Sequence, residues 1–215
     1  MTHFRQPINY TLVTGSNELA VNLVNVKSWL KIPSSLVADD TLLTALIKAS
    51  AGYFEKITGR DLITKTYKTH LDRFPFANDI EYYSGLSNLN PKYNDNGIYL
   101  RKSKLQSITS IKYYVSKVLT TWVSSDYYIS DEPDYSAIYL VEDIDFPSTI
   151  DKRKQAVEII FTAGYGIDST FVPEDVQQAL LQLISYLYEN RGDCSDSSTM
   201  SAAMDLFSQF KIVDF

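Results

Sequence analysis

ADDTLLTALIKASAGYFEKITGRDL, residues 38–62, reads as one amphipathic helix running into a turn and then a strand. Asp39 and Asp40 stand at its start, where a carboxylate caps free backbone N–H groups and complements the positive end of the dipole. Leu42, Leu46, Ala49, Tyr53 and Ile57 recur at helical spacing, with Leu43, Ile47 and Phe54 widening the stripe, and Thr44, Lys48 and Glu55 lie opposite. Gly59 follows as a C-terminal cap, since glycine enters the left-handed conformation without a Cβ clash. Beyond it the period falls from 3.6 to 2. A core helix is therefore expected to hand over to a strand.

The mirror-image handover lies near the other end. In VEIIFTAGYGIDSTFVPEDVQQALLQLISYLYENRG, residues 157–192, a strand ends at a glycine-rich turn and a long helix begins. Pro173 suits a first helical position, Glu174 and Asp175 occupy the first turn, Arg191 the last, and Gly192 follows. Val176, Leu180, Leu183 and Leu187 make one face, joined by Ala179, Ile184 and Tyr186. A shorter helix is expected over 25–31, carrying Val26, Trp29 and Leu30 and stopped by Pro33, and another over 200–210. Ala203, Leu206, Phe207 and Phe210 share one side of that last helix.

Between the two handovers the pattern is strand-like. Residues 61–73 alternate through Ile63, Tyr67 and Leu71, and further strands are expected at 98–101, 108–115, 121–123, 127–130, 138–141 and 157–162. Residues 77–97 are rich in Asn, Ser, Asp, Gly and Tyr and read as a long loop or excursion. Helices early and late with strands between give an α+β class. The chain divides into an arm or loose edge strand (1–22), a main domain (23–192) with a β-rich insertion at about 61–162, and a polar hinge with a C-terminal helix (193–215).

Composition narrows the function. A chain of 215 residues buries roughly 70% or more of its unfolded surface and needs no staple. Cys194 is the only cysteine, which excludes an intrachain disulfide and a cysteine-based zinc site. No apolar run approaches the ~18 residues of a membrane span, and the first residues lack a signal-peptide pattern, so no membrane partner is expected. A formal net charge of −6 argues against a grip on DNA, whose phosphates call for Lys and Arg. The 16 tyrosines and 10 phenylalanines fit sheet packing first and inter-subunit surface second.

Candidate chemistry is sparse. His3 and His70 are the only histidines. His70 and Asp72 share a strand face, but no serine or cysteine stands in a nucleophile setting, so His70 reads as a solvent-facing strand residue. Gly164-Tyr165-Gly166 lacks the further glycine and the Lys-Ser/Thr of a phosphate loop and reads as a sharp turn. The acidic pairs lack calcium-loop spacing. Lys152-Arg153-Lys154 reads as a solvated loop or a contact for an acidic partner or DNA. No catalytic, cofactor-binding or metal residue is expected, and no cofactor.

The ordered motifs resemble the head–tail connector (adaptor) proteins of tailed double-stranded-DNA bacteriophages. The residues that carry the resemblance are Asp39-Asp40, Tyr53-Phe54-Glu55-Lys56-Ile57-Thr58-Gly59-Arg60, Phe161-Thr162-Ala163-Gly164-Tyr165, Val172-Pro173, Tyr188-Glu189-Asn190-Arg191 and Leu206–Lys211. The family implies a non-enzymatic subunit of a ring, usually of twelve copies, at the head–tail interface of the virion, assembled in the host cytoplasm. Its partners would be the portal protein, a stopper or tail-completion protein, further copies of itself, and double-stranded DNA passing without sequence-specific binding. On this resemblance Leu206, Phe207, Phe210, Lys211 and Phe215 are candidates for portal contact, the alternative for the 200–210 face being burial in its own domain. Tyr82, Tyr83 and Tyr93 are candidates for subunit or tail contact. The arm and the 77–97 excursion exceed those of the simplest members. Rival readings are a tail-completion or stopper protein, a hydrolase using His70, and a ligand-binding β-module.

Overall fold

The computed structural model describes residues 9–74, 97–100, 102, 104–131, 136–190 and 198–211. These fall into two units, one formed by residues 16–64 and 164–211 and the other by 9–15 and 65–163.

The first unit is helical. Helix α1 (Leu23–Trp29) starts at Asn22, whose side chain accepts from Val24 N, so its start lies two residues before the position expected from the sequence. Helix α2 spans Asp40–Thr58 and ends at Gly59 with φ +76°, the left-handed cap that the glycine predicts. Its buried face is Leu43, Ile47, Ser50, Phe54 and Thr58. The expected central stripe is therefore rotated by one position, leaving Tyr53 exposed. The residues described as widening the stripe are its true centre. Helix α3 (Glu174–Glu189) buries Val176, Ala179, Leu180, Leu183, Ile184 and Tyr186. Helix α4 (Ser198–Ser208) closes the cluster by placing Ala203 and Phe207 in the same core.

Asp39 was expected to cap α2 with its side chain. It makes no such bond; its carboxylate instead accepts from the Tyr188 hydroxyl of α3 at 2.5 Å. Asp40 pairs with the buried ammonium of Lys27 on α1, 2.5 Å away, and that ammonium also donates to Leu36 O. The two acidic residues thus tie α2 to α3 and to α1. A buried lysine needs such partners, because an unpaired charge there would be expelled.

The second unit holds two antiparallel sheets. The first has five strands in the order β1 (Thr11–Thr14), β2 (Lys65–Leu71), β8 (Val157–Ala163), β4 (Leu105–Val115) and β5 (Val118–Thr121). The second has three, in the order β3 (Ile98–Leu100), β7 (Ser136–Leu140) and β6 (Tyr127–Asp131). Val157, Ile159, Phe161 and Ala163 alternate inward along β8, and Tyr67 and Leu71 do so on β2. They share a core with Ile98, Leu100 and Ile138 of the second sheet. Phe74, Trp122, Phe146 and Tyr127 extend that core as an aromatic cluster, with Phe74 stacked on Phe146 at 5.2 Å. The tyrosine-rich middle is thus partly sheet packing.

One strand was expected in the wrong place. The reading at 121–123 misses β5 because the hairpin turn is Ser116-Lys117, without Gly or Asn. Both residues have positive φ, 51° and 67°. That is the backbone sign of the primed turns that suit hairpin twist, and it normally selects Asn-Gly. Here the Asp151 carboxylate bridges the two turn amides, accepting from Ser116 N at 2.9 Å and Lys117 N at 2.7 Å. Replacing Asp151 with Ala is expected to destabilise the protein by about 1–2 kcal/mol, the low end for bonds to a charged acceptor because both are exposed. Adding Ser116→Asn and Lys117→Gly to Asp151→Ala should recover most of that loss. Urea unfolding of the three proteins measures both effects.

Candidate functional site

The C-terminal helix was the chief candidate contact, and its seat can be built from the α2 junction. Phe54 and Phe207 meet edge to face at 5.0 Å, both fully buried. Phe210 lies half-buried, 6.0 Å from Phe54. Thr58 Oγ1 donates to Phe54 O at 2.9 Å and accepts from Arg60 N at 3.2 Å, fixing the chain as it leaves the helix. Arg60, itself buried, then donates through Nε to Phe210 O at 2.6 Å. A cation at the carboxyl end of a helix meets the negative end of its dipole. Glu55 accepts from Leu62 N at 3.1 Å and completes the junction. Every polar residue of the Glu55-to-Arg60 motif except Lys56 thus has a structural task.

This placement separates the five portal-contact candidates. Phe207 is a core residue, and a partner reaches it only if α4 leaves its seat. Leu206 and Phe210 are half-buried on the same cluster, and Lys211 is exposed. The two readings of the 200–210 face resolve toward burial in its own unit. Phe215 lies outside the described residues, as do Tyr82, Tyr83 and Tyr93.

His70 lies on β2 opposite Glu158, with Nε2 3.5 Å from its carboxylate. Asp72 does not orient it, because Asp72 accepts from Gln155 N at 2.8 Å. Gly164-Tyr165-Gly166 forms the turn expected of it: Tyr165 N donates to Asp61 O, and Gly166 O accepts from Thr64 N at 2.8 Å. Gly164 has φ +134°, and a Cβ there would lie 2.8 Å from the Ile63 backbone. The glycine is thus set by strand-to-turn packing. In the basic cluster, the Arg153 guanidinium covers the Tyr114 ring at 4.0 Å. Among the described residues no three His, Cys, Asp or Glu side chains converge as metal ligands, and no helix is long and apolar enough to cross a membrane.

Sequence reading missed one exposed feature of this unit. Ile167 and Phe171 stand out from the loop between β8 and α3. Asp168 shapes that loop by accepting from Thr170 Oγ1 at 2.6 Å and Thr170 N at 2.8 Å. Those bonds hold its carboxyl below the usual carboxylate range. A lone apolar residue beside a turn gives no signal that distinguishes exposure from burial.

No protein-family model and no curated protein matches the chain. Solved structures do. A chain in the neck of an empty gene transfer agent (GTA) particle, computed with C6 symmetry, superposes with a TM-score of 0.73 at 19% identity, covering 96% of this chain and 97% of that one. A chain from the virion of the native GTA particle gives 0.72 at 20% identity, covering 96% of each. A chain in the neck of the native particle, computed with C12 symmetry, gives 0.69 at 18% identity, covering 96% and 97%. The chain has the fold of these gene transfer agent chains.

Arg60→Met is expected to destabilise by about 1.5–3 kcal/mol, the range for a hydrogen bond from a charged group. It should also speed amide exchange across 198–211 before the rest of the helical unit. Exchange followed by mass spectrometry checks the order.

Proposed function

We propose that this chain is a structural subunit of a head–tail connector, non-catalytic, forming a ring beneath a portal. In that place it extends the DNA channel and offers a docking surface to a stopper or tail protein. The observation that carries this reading is the near-complete two-way coverage of neck chains, in which neither protein has a domain the other lacks. The C6 and C12 symmetries of those necks support the ring.

The chemistry of the chain is consistent with this role. The Glu55-to-Arg60 motif is occupied with internal bonds, and His70 faces a carboxylate rather than a nucleophile. The net charge of −6 gives DNA little to hold while it passes. Most of that negative charge falls in residues 16–64 and 164–212. Portal contact is assigned to the end of the chain from Lys211 through Phe215, flanked by Leu206 and Phe210, with Phe207 anchoring the helix behind them. Tyr82, Tyr83 and Tyr93 are assigned to a subunit or tail contact. The protein works in the virion after assembly in the host cytoplasm.

The deciding experiment mixes the purified protein with its cognate portal rings and images the mixture by electron microscopy. The expected result is a stoichiometric ring stacked on the portal, lost or weakened in Lys211→Glu combined with Phe215→Ala. Failure of the wild-type chain to bind portal rings overturns the reading. A second expectation concerns DNA: retention of a random duplex should be undetectable at 150 mM salt by mobility shift. Tight binding there would contradict a passive channel wall.

A further inference from the structure

We propose that neighbouring copies of this chain join by continuing the five-stranded sheet, the β5 edge of one copy pairing in parallel with the β1 edge of the next. The inference rests on the ring reading above and adds to it the surface that closes the ring.

Both edges of that sheet are open among the described residues. Among the described residues no strand pairs outward of β1 or of β5. All four residues of each strand are exposed. Leu12 and Val13 stand 52% exposed on one edge and Val118 63% on the other. Neither Thr-Leu-Val-Thr nor Val-Leu-Thr-Thr contains a charge or a proline. Edge strands in soluble proteins are usually blunted by such residues, since a free row of N–H and C=O groups templates pairing with another chain. The β1 edge is short and carries an irregular register between Leu12 and Thr14. The β5 edge has no such irregularity within its paired register.

The bonding phase of β5 follows from one contact. Trp122 N donates to Ile111 O at 2.8 Å. Bonded and non-bonded pairs alternate along an antiparallel ladder, so Thr120 and Val118 bond inward to Tyr113 and Val115. Leu119 and Thr121 therefore direct their N–H and C=O groups outward. They are available to a further strand at no cost to the existing sheet.

Direction selects the occupant. Each neighbouring pair in the sheet is antiparallel, and with five strands its two edges run the same way. A twofold dimer through one edge would pair that edge with itself, antiparallel. A cyclic ring instead brings unlike edges together, a head-to-tail contact that closes by rotation. A twelvefold axis turns any direction by at most about 30°, near the ~20–25° twist between adjacent strands of a sheet. The two edges then meet almost parallel, within reach of ordinary pairing. Four-residue edges give few bonds, so they supply register and orientation, while each subunit gains from being held on both sides.

The test uses the full chain on its cognate portal rings. Leu119→Pro removes an outward N–H without removing a bond to β4, and Val13→Lys places a charge on the opposite edge. Val24→Lys, an exposed change in the helical unit, serves as control. Urea unfolding establishes that each variant folds, and Val13→Lys stands in if the proline variant does not. Wild type and Val24→Lys are expected to complete the ring. The edge variants should need about tenfold more protein to do so, a difference of about 1.4 kcal/mol per subunit, and should leave incomplete arcs in electron micrographs. Complete rings from both edge variants at the wild-type concentration overturn the edge pairing and leave the neck reading intact. A wild-type chain that never assembles on portal overturns both.

Discussion

The helical unit depends on a buried arginine. Arg60 sits just beyond the left-handed glycine that ends α2, and its Nε reaches the Phe210 carbonyl. A guanidinium held away from water must be hydrogen-bonded or the fold would not keep it. Arg60 therefore makes the end of α4 a requirement of the core. Thr58 and Glu55 set the backbone that aims it, and Phe54 gives Phe207 the ring against which α4 packs. Seven consecutive residues, Phe54 to Arg60, thus specify where a helix about 150 positions later must lie.

That dependence explains what could be read in the sequence. The α+β layout, the α2 cap and the Pro173 boundary follow from local rules, because capping and periodicity act within a few residues. The departures share another cause. Asp39 was expected to cap its own helix, but the Tyr188 hydroxyl claims its carboxylate from α3. The Ser116-Lys117 turn was invisible because Asp151, distant in sequence, supplies what Asn-Gly would supply locally. The α2 stripe was one position off because Ser50 and Thr58 lie on its buried face. Ser50 is fully buried, and Thr58 bonds back to the Phe54 carbonyl. The first two were settled by partners that no local window contains, and the third by polar residues that an apolar periodicity does not count.

The same reasoning bears on the candidate site. An aromatic stripe on a terminal helix is compatible with a core and with an interface, since both need the same apolar face. Only the partner tells them apart, and here Phe54 and Arg60 are that partner. Residues that look like chemistry are likewise engaged. Asp72 caps a turn amide instead of orienting His70, and Asp151 holds a hairpin. Backbone at the edges of the five-stranded sheet and several exposed apolar side chains, among the described residues, carry no such bonds.

Open edges raise the question of what keeps such a chain from indiscriminate aggregation. Length is one answer: four residues offer few bonds to a stray strand, less than the entropy of ordering a partner. Irregularity is another, because the register shift at Leu12–Thr14 favours a partner shaped to it. Geometry is the third. Two edges that point the same way cannot satisfy both at once in a twofold dimer, so an extended stack or a closed ring is the only arrangement that uses each fully. In the proposed connector, a portal beneath which copies gather would impose the rotation that selects the ring. Weak, directional edges are then an advantage, since they stay unpaired in dilute solution and become effective only when neighbours are held side by side.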